Sequence, residues 1–328
     1  MSEGPELTID ACPACRSAVF ESERFCEACG HRLTADSSGV GDPGAADQAE
    51  PALGLENMQR VQFDEGLAAA ITDRGWRRQR NEDAVALAVA GDRSAVALCD
   101  GVASTSNAHR AAQAAAAAAI HGLDHALQAP IRPGQRELHD LFNQAFEEAQ
   151  RAVTAVTEDW ERASDLSPST TLVVALAAPG QVLVGNVGDS RAYWLGESEL
   201  DRRLLTVDDS WAQDRMAEGV EPGEALDHPE AHAITRWIGA DAESSEPRIT
   251  AFEVTERGLL VVCTDGLWNY FDEPAKLAEL VAAASDPSPS GIARWLTDAA
   301  LDAGGQDNIT VAVVPVGPAQ TPAVPSEE

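Results

Sequence analysis

Two short apolar runs in this sequence end in the same pair of residues. "AVALCDGVAS" carries Ala95 to Cys99 into Asp100-Gly101, and "LLVVCTDGLW" carries Leu259 to Thr264 into Asp265-Gly266. Two further acidic groups border strand-like stretches: Glu82 and Asp83 in "RNEDAVALA", and Asp307 with Asn308 in "GGQDNITVAVV". An aspartate leaving a strand can simply open a turn, with glycine as the permissive next residue. Four acidic clusters at strand ends can instead bring several carboxylates to one point. Carboxylate oxygens completed by water suit Mg2+ or Mn2+ in octahedral coordination. A pair of such ions about 4 Å apart can bind one phosphoryl group and activate a bridging water. Gly101, with no Cβ, lets its carbonyl approach a metal closely.

A softer donor set lies at the N-terminus, in "CPACRSAVFESERFCEACGHRL". Cys12 and Cys15 form one Cys-x-x-Cys, ten residues intervene, and Cys26 and Cys29 form the second. Two such knuckles can converge four thiolates tetrahedrally on one Zn2+. The alternatives are two disulfides or a redox pair, but disulfides are rare in a reducing compartment and the spacing fits a zinc ribbon over residues 1–33. Cys99 and Cys263 fall inside apolar strand patterns and read as inert core.

The elements that must position these groups follow from periodicity and punctuation. Residues 34–60, rich in Gly, Ala, Pro, Asp and Ser, read as a flexible acidic linker. Beyond it come strand-like runs "LAAAIT", "AVALAVA" and "AVALC", then an Ala-rich helix, "AHRAAQAAAAAAIHGLDHALQA". Ala is the strongest helix former and gives a smooth face that packs closely. A second helix spans "RELHDLFNQAFEEAQRAVTAVTEDW". Strands "TTLVVALAA", "QVLVGNVG", "RAYWLG", "RITAFEV" and "GLLVVCTDG" follow, then helices at 274–284 and 291–303 and a last strand, "NITVAVVPV". Clustered strands with helices in pairs between them argue for a layered α+β sandwich rather than a doubly wound sheet. The main domain is expected over 61–317, with a disordered tail at 318–328.

Composition removes several classes. A formal net charge of −31 argues against nucleic acid or an acidic membrane as partner. Within the ribbon, Arg16, Arg24 and Arg32 are matched by Glu21, Glu23 and Glu27, so it carries no basic patch for nucleic acid. Docking to a protein or a structural role suits it better. No run of about eighteen apolar residues would span a membrane. The start, "MSEGPELTIDA", has no secretory pattern, and the expected location is cytoplasmic.

The order of motifs adds a resemblance. "DRGWRRQRNED", "CDGVAS", "PSTTLVVAL", "VGNVGDSRAYWL", "LTVDDSW", "ITRWIG", "VCTDGLW" and "GGQDNITVAVV" stand in the order seen in metal-dependent Ser/Thr protein phosphatases of the type 2C family, bacterial type. The resemblance runs from Gly66 to Val316. It implies two central antiparallel sheets between pairs of helices (α-β-β-α), here preceded by the ribbon. It implies two, or with Asp189 three, Mn2+ or Mg2+ ions, and attack of metal-activated water on phosphoserine or phosphothreonine. Asp100 then resembles the carboxylate that bridges two ions, with the Gly101 carbonyl on one of them. Glu82, Asp265 and Asp307 resemble the other ligands, with Asp83 a ligand or just behind them. Arg78 matches the phosphate-binding arginine, while Arg77 and Arg80 are expected in solvent. Asp189 resembles an acid that helps hold a third metal, a plain structural role being the alternative. The implied partners are phosphorylated substrates of Ser/Thr kinases, met by a monomer. A competing reading, a catalytically weak relative that binds phosphoproteins, predicts lost metal ligands, and none is lost.

The chain also departs from the pattern. Val102-Ala103-Ser104 replaces the Met-Gly-Gly common after the first Asp-Gly, and Val102 stands where eukaryotic relatives often place a proton-donating histidine. The leaving oxygen must then take its proton from water or another group. His228 and His232 in "DHPEAH" are spaced for one helix face, in the segment that forms a flap in relatives, and read as a surface pair.

A ribbon of this size has almost no core, so folding should require the metal, whose binding supplies on the order of 10 kcal/mol. Elemental analysis of protein purified without chelator should find one zinc per chain. No zinc, with Cys12–Cys15 and Cys26–Cys29 disulfides, refutes the ribbon.

Overall fold

Alternation of side chains along each strand builds two antiparallel sheets that share one core. The computed structural model describes residues 9–11, 18–20, 59–105, 107–128, 136–158 and 167–319. Cys12, Cys15, Cys26, Cys29, nearly all of the expected linker and residues 320–328 of the expected tail lie outside the described residues.

A hairpin of β1 (Ile9–Ala11) and β2 (Ala18–Phe20) comes first. Then follow β3 (Arg60–Asp64), β4 (Ala69–Asp73), β5 (Ala84–Ala90), β6 (Arg93–Cys99), α1 (Ala108–Gln128) and α2 (Arg136–Glu158). The middle of the chain gives β7 (Ser169–Thr170), β8 (Leu172–Ala178), β9 (Gln181–Val187), β10 (Arg191–Gly196) and β11 (Arg202–Leu204). Next are α3 (Trp211–Ala217), α4 (Pro222–Leu226), β12 (Ile238–Gly239), β13 (Arg248–Glu253) and β14 (Gly258–Cys263). The chain closes with α5 (Asp265–Trp268), α6 (Pro274–Ala282), α7 (Pro289–Ala303) and β15 (Ile309–Val316). One sheet runs β11-β10-β14-β15-β4-β3 and the other β13-β9-β8-β6-β5.

Strand β8 illustrates why the layers form. Val173 and Ala175 enter a core between the sheets, against Trp194, Leu260, Val262 and Val314. Leu172, Val174 and Leu176 point the other way, toward Phe142 and Phe146 of α2 and the alanines of α1. A period of two makes both faces apolar, so the strand must be covered twice. On α1, Ala108, Ala111, Ala112, Ala115, Ala119 and Leu123 are fully buried, the three-and-four spacing of one helical stripe. The far side of the first sheet packs Ile71, Val261, Val311 and Val313 against Leu277 of α6 and Leu296 and Ala300 of α7. The result is the expected α-β-β-α order of layers. No helix among the described residues is long and apolar enough to cross a membrane.

Three differences from the sequence reading concern short or polar elements. Gln59 and Arg60, at the end of the expected linker, are held to the first sheet: both side chains bond Asp73, at 2.9 and 2.7 Å. Strand β3 itself, "RVQFD", was not anticipated, because an edge strand half open to solvent carries little apolar signal. The polar stretch after β11 contains α3 and α4, which pack on each other through Ala212, Ala225 and Ala231.

Phe146 is fully buried where α2 crosses β9, and a Cβ on Gly185 would meet its ring at 3.1 Å. Phe146→Ala should cost about 3–5 kcal/mol, read as a lower denaturation midpoint in urea.

Candidate active site

Strand ends from both sheets meet at one cleft of about 200 Å³. Its acidic wall carries Glu82, Asp100, Asp189, Asp265 and Asp307, with Arg78 and Asn308 beside them. Val102, Ala103, Thr171, His232 and Ile234 line the remainder. Asp100 follows β6, Asp265 opens α5 after β14, and Asp307 precedes β15. The two Asp-Gly aspartates, which follow strands of different sheets, both line this cleft.

The glycines of those pairs are required by what lies across from them. A Cβ on Gly101 would meet the Glu82 carbonyl oxygen at 2.6 Å, and one on Gly266 would meet the Asn308 carbonyl oxygen at 1.9 Å. Each aspartate is thus followed by a residue over which another strand-end loop passes in contact. Gly101 N–H also donates to the Glu82 carbonyl at 3.2 Å.

Hydroxyl and amide side chains fix the rest. Thr171 Oγ1 accepts the Asp100 N–H at 2.9 Å and pairs with Ser190 Oγ at 2.8 Å, tying Asp100 to the Asp189 loop. Asn308 accepts the Glu82 N–H at 2.8 Å and donates to the carbonyls of Arg74 and Arg80, at 2.8 and 3.0 Å. One amide therefore clamps the loop that presents Arg78 and Glu82. Beneath the cleft, Thr264 and Thr310 donate to Asp83 Oδ2 at 2.9 and 2.7 Å. Arg78 donates to Asp307 Oδ2 at 2.5 Å.

Burial and crowding raise the proton affinity of these acids. Asp100 is pushed well above the usual carboxylate range by burial, then by Asp83, Asp265, Asp307 and Asp189. Asp265 is raised to about 6, chiefly by burial and then Asp307. Asp83 and Asp189 each rise to about 8, again mainly through burial. Glu82 is raised by burial against the pull of Arg78 and Arg80. For Arg78, burial works against the charge, but Asp307, Asp100 and Asp265 outweigh it and raise its pKa. Negative charge thus exceeds positive charge in the cleft.

Asp83 Oδ1 and Asp265 Oδ1 are buried with no hydrogen-bond partner. Orphaned carboxylate oxygens beside like charges are a donor set suited to hard divalent cations. Among the described residues, however, no three such groups already stand as ligands around one point. The fit is one of donor chemistry and location.

Comparison with known proteins decides the family. The sequence profile described as Protein phosphatase 2C matches residues 76–299. The chain belongs to the protein phosphatase 2C family. It is 32% identical over 250 residues to the serine/threonine protein phosphatase PstP of Mycobacterium tuberculosis, covering 76% of this chain and 44% of that protein. The chain therefore spans less than half the length of that relative. It is 29% identical to the serine/threonine phosphatase stp of Listeria welshimeri, covering 74% of this chain and 93% of that one. The crystal structure of the PstP catalytic domain with two manganese ions aligns at 27% identity and a TM-score of 0.58, over 78% of this chain and 99% of that one.

Within this family fold, the structure brings Arg78, Glu82, Asp100, Gly101, Asp189, Asp265 and Asp307 to one cleft. Asp83 does not line it and lies behind, among threonines. Arg77 does not line it, and Arg80 turns to His109, Nη1 to Nδ1 at 3.3 Å. Cys99 and Cys263 are fully buried, and burial pushes both thiols far up, as inert core residues should be. The histidine pair needs correction. Helix α4 ends at Leu226, and Pro229, which lacks an N–H, bars its continuation, so His228 and His232 share no helix face. His228 stacks on Trp211 at 4.0 Å, whereas His232 lines the cleft. Thr171, Thr264, Thr310 and Asn308 are positioning groups that the sequence does not single out as such. They sit inside the quoted motifs, and their only sequence signal is polarity at strand ends.

The raised acids set the sign of the pH dependence. Each binds its proton more tightly folded than unfolded, so without metal the folded protein is favoured at low pH. Metal-free stability should fall as pH rises from about 4 to about 8, and added Mn2+ should offset the loss most at the upper end. Asp100→Asn should raise the metal-free thermal midpoint at pH 8 while weakening Mn2+ binding. A metal-free wild-type midpoint that climbs with pH across this window contradicts the assignment.

Proposed function

We propose that this chain hydrolyses phosphoserine and phosphothreonine in proteins, using Mn2+ or Mg2+ held in the carboxylate cleft. The observation that carries the reading is the meeting of strand-end carboxylates from both sheets opposite one arginine. The family, and a relative whose structure contains two manganese ions, support it. Asp100, Glu82, Asp265, Asp307 and the Gly101 carbonyl would hold the cations, and Asp189 would serve a third if one binds. What the cations supply when bound is Lewis acidity toward a water and toward the phosphoryl oxygens.

The chain's own groups do the remaining work. Arg78 presents a planar fork to two phosphate oxygens, and Asp307 holds that fork at the cleft. Asp83, braced by Thr264 and Thr310, sets its carboxyl behind the donors without entering the cleft. Thr171 and Asn308 keep the loops from spreading under carboxylate repulsion.

For the N-terminus we propose a zinc ribbon that docks partner proteins. Its support is the sequence spacing of Cys12, Cys15, Cys26 and Cys29, two Cys-x-x-Cys pairs of the kind that hold one Zn2+.

Phosphate release from a phosphothreonine peptide, with Mn2+ and with chelator, tests the activity. Metal-dependent turnover is expected, and phosphopeptide binding without turnover would replace the reading. Arg78→Ala should lower kcat/KM about tenfold to hundredfold, or about 1.5–3 kcal/mol. Mn2+ affinity should hold, because the substitution frees Asp307. Arg77→Ala should lose far less, and equal losses would move the phosphate contact away from Arg78.

A further inference from the structure

Departure of a serine or threonine oxygen as a bare alkoxide is slow, so an efficient site protonates it as the P–O bond breaks. Most polar groups lining the cleft are unsuited to this. Arg78 keeps its protons at all working pH values, and the carboxylates are the proposed cation donors. Thr171 is occupied by the Asp100 N–H and Ser190. Val102 and Ala103 carry no proton to give. Among the described residues, His232 is the one imidazole on the cleft wall, and its side chain is exposed.

The backbone around His232 is held from both sides. The Ala231 carbonyl accepts the Ala212 N–H at 3.1 Å, and the Ala233 carbonyl accepts the Trp211 N–H at 2.8 Å, both from the first turn of α3. Ile234 bridges to Ser210, and the Thr235 N–H donates to the Asp209 carbonyl at 2.9 Å. Asp209 is fully buried and bonds Arg236, Arg248 and the Gly188 N–H, next to Asp189. The loop carrying His232 is therefore pinned to the same framework that carries the acidic wall. On the cleft side its ring stands 6.0 Å from Trp268, at the end of the helix that Asp265 opens.

We propose that His232 is the general acid of this site and donates its imidazolium proton to the departing serine or threonine oxygen. The proposal rests on phosphomonoester hydrolysis at the cleft, as argued above. As the water oxygen bonds phosphorus and the bond to the side-chain oxygen breaks, that oxygen takes the His232 proton and leaves as the alcohol. Of the two protons of the attacking water, one stays on phosphate and the other goes to solvent, from which the imidazole is reprotonated. Water plus phosphomonoester gives alcohol plus phosphate, with no other reactant.

Two substrates separate this role from the rest of the machinery. A phosphothreonine peptide needs the proton, whereas p-nitrophenyl phosphate loses a stabilised phenolate that leaves without one. With the full chain and saturating Mn2+, His232→Gln should lower kcat on the peptide about a hundredfold or more. It should leave turnover of p-nitrophenyl phosphate near wild type. His232→Ala should behave alike and regain peptide turnover with added imidazole, which a structural defect would not do. Equal losses on both substrates, or no loss on the peptide, overturn the proton-donor role. A wild-type protein that hydrolyses neither substrate overturns the phosphatase reading itself, and this role with it.

Discussion

Repulsion among buried carboxylates is the constraint on which the structure around the cleft depends. Asp83, Asp189, Asp265 and Asp307 all disfavour charge on Asp100, and burial removes the water that would screen them. Left to itself, such a group would spread apart or keep protons. It is held because each acid sits at the end of a strand whose other residues are locked in a two-faced core. Movement of Asp100 away from Asp265 would have to separate β6 from β14, and with them the sheets that bury Leu98 and Val262. Hydrophobic burial spread over the whole sandwich thus opposes an electrostatic strain concentrated at one edge.

The same edge explains the hydrogen bonds that tie loop to loop. Thr171 links Asp100 to the Asp189 turn, Asn308 links β15 to the Arg78 loop, and Thr264 with Thr310 links β14 to β15 through Asp83. Each contact joins elements far apart in sequence, so together they make the cleft one rigid unit. Rigidity matters for catalysis in such a site, since donors that need not reorganise stabilise developing charge most effectively.

The segment between β11 and β13 is built differently. It has a small satellite core around Ala212, Ala225 and Ala231, and its attachment runs through Asp209 and two arginines. A polar anchor beneath a small apolar cluster fixes the segment at its base and leaves its outer face in water, with His232 turned to the cleft. The strongly acidic chain also carries four arginines from Arg74 to Arg80, of which Arg78 lines the acidic cleft.

The sequence by itself determined the strands, the long helices and the carboxylates at strand ends. Those signals are local: a period of two, a period near 3.6, and an acid next to a glycine. The order of motifs then carried Glu82, Asp100, Asp265, Asp307 and Arg78 as a set, and these do share one cleft. Local signals were silent about β3, whose half-exposed edge mixes polar and apolar residues, and about the turns around His228 and His232. A spacing of four residues suits one helix face, but Pro229 lies between the two histidines and only His232 reaches the cleft. Tertiary structure alone decided why glycine follows each aspartate, because the atoms that exclude a Cβ belong to Glu82 and Asn308, on other loops. It likewise decided that Asp83 stays behind the cleft while its neighbour Glu82 lines it, since adjacent residues at a strand start point to opposite faces.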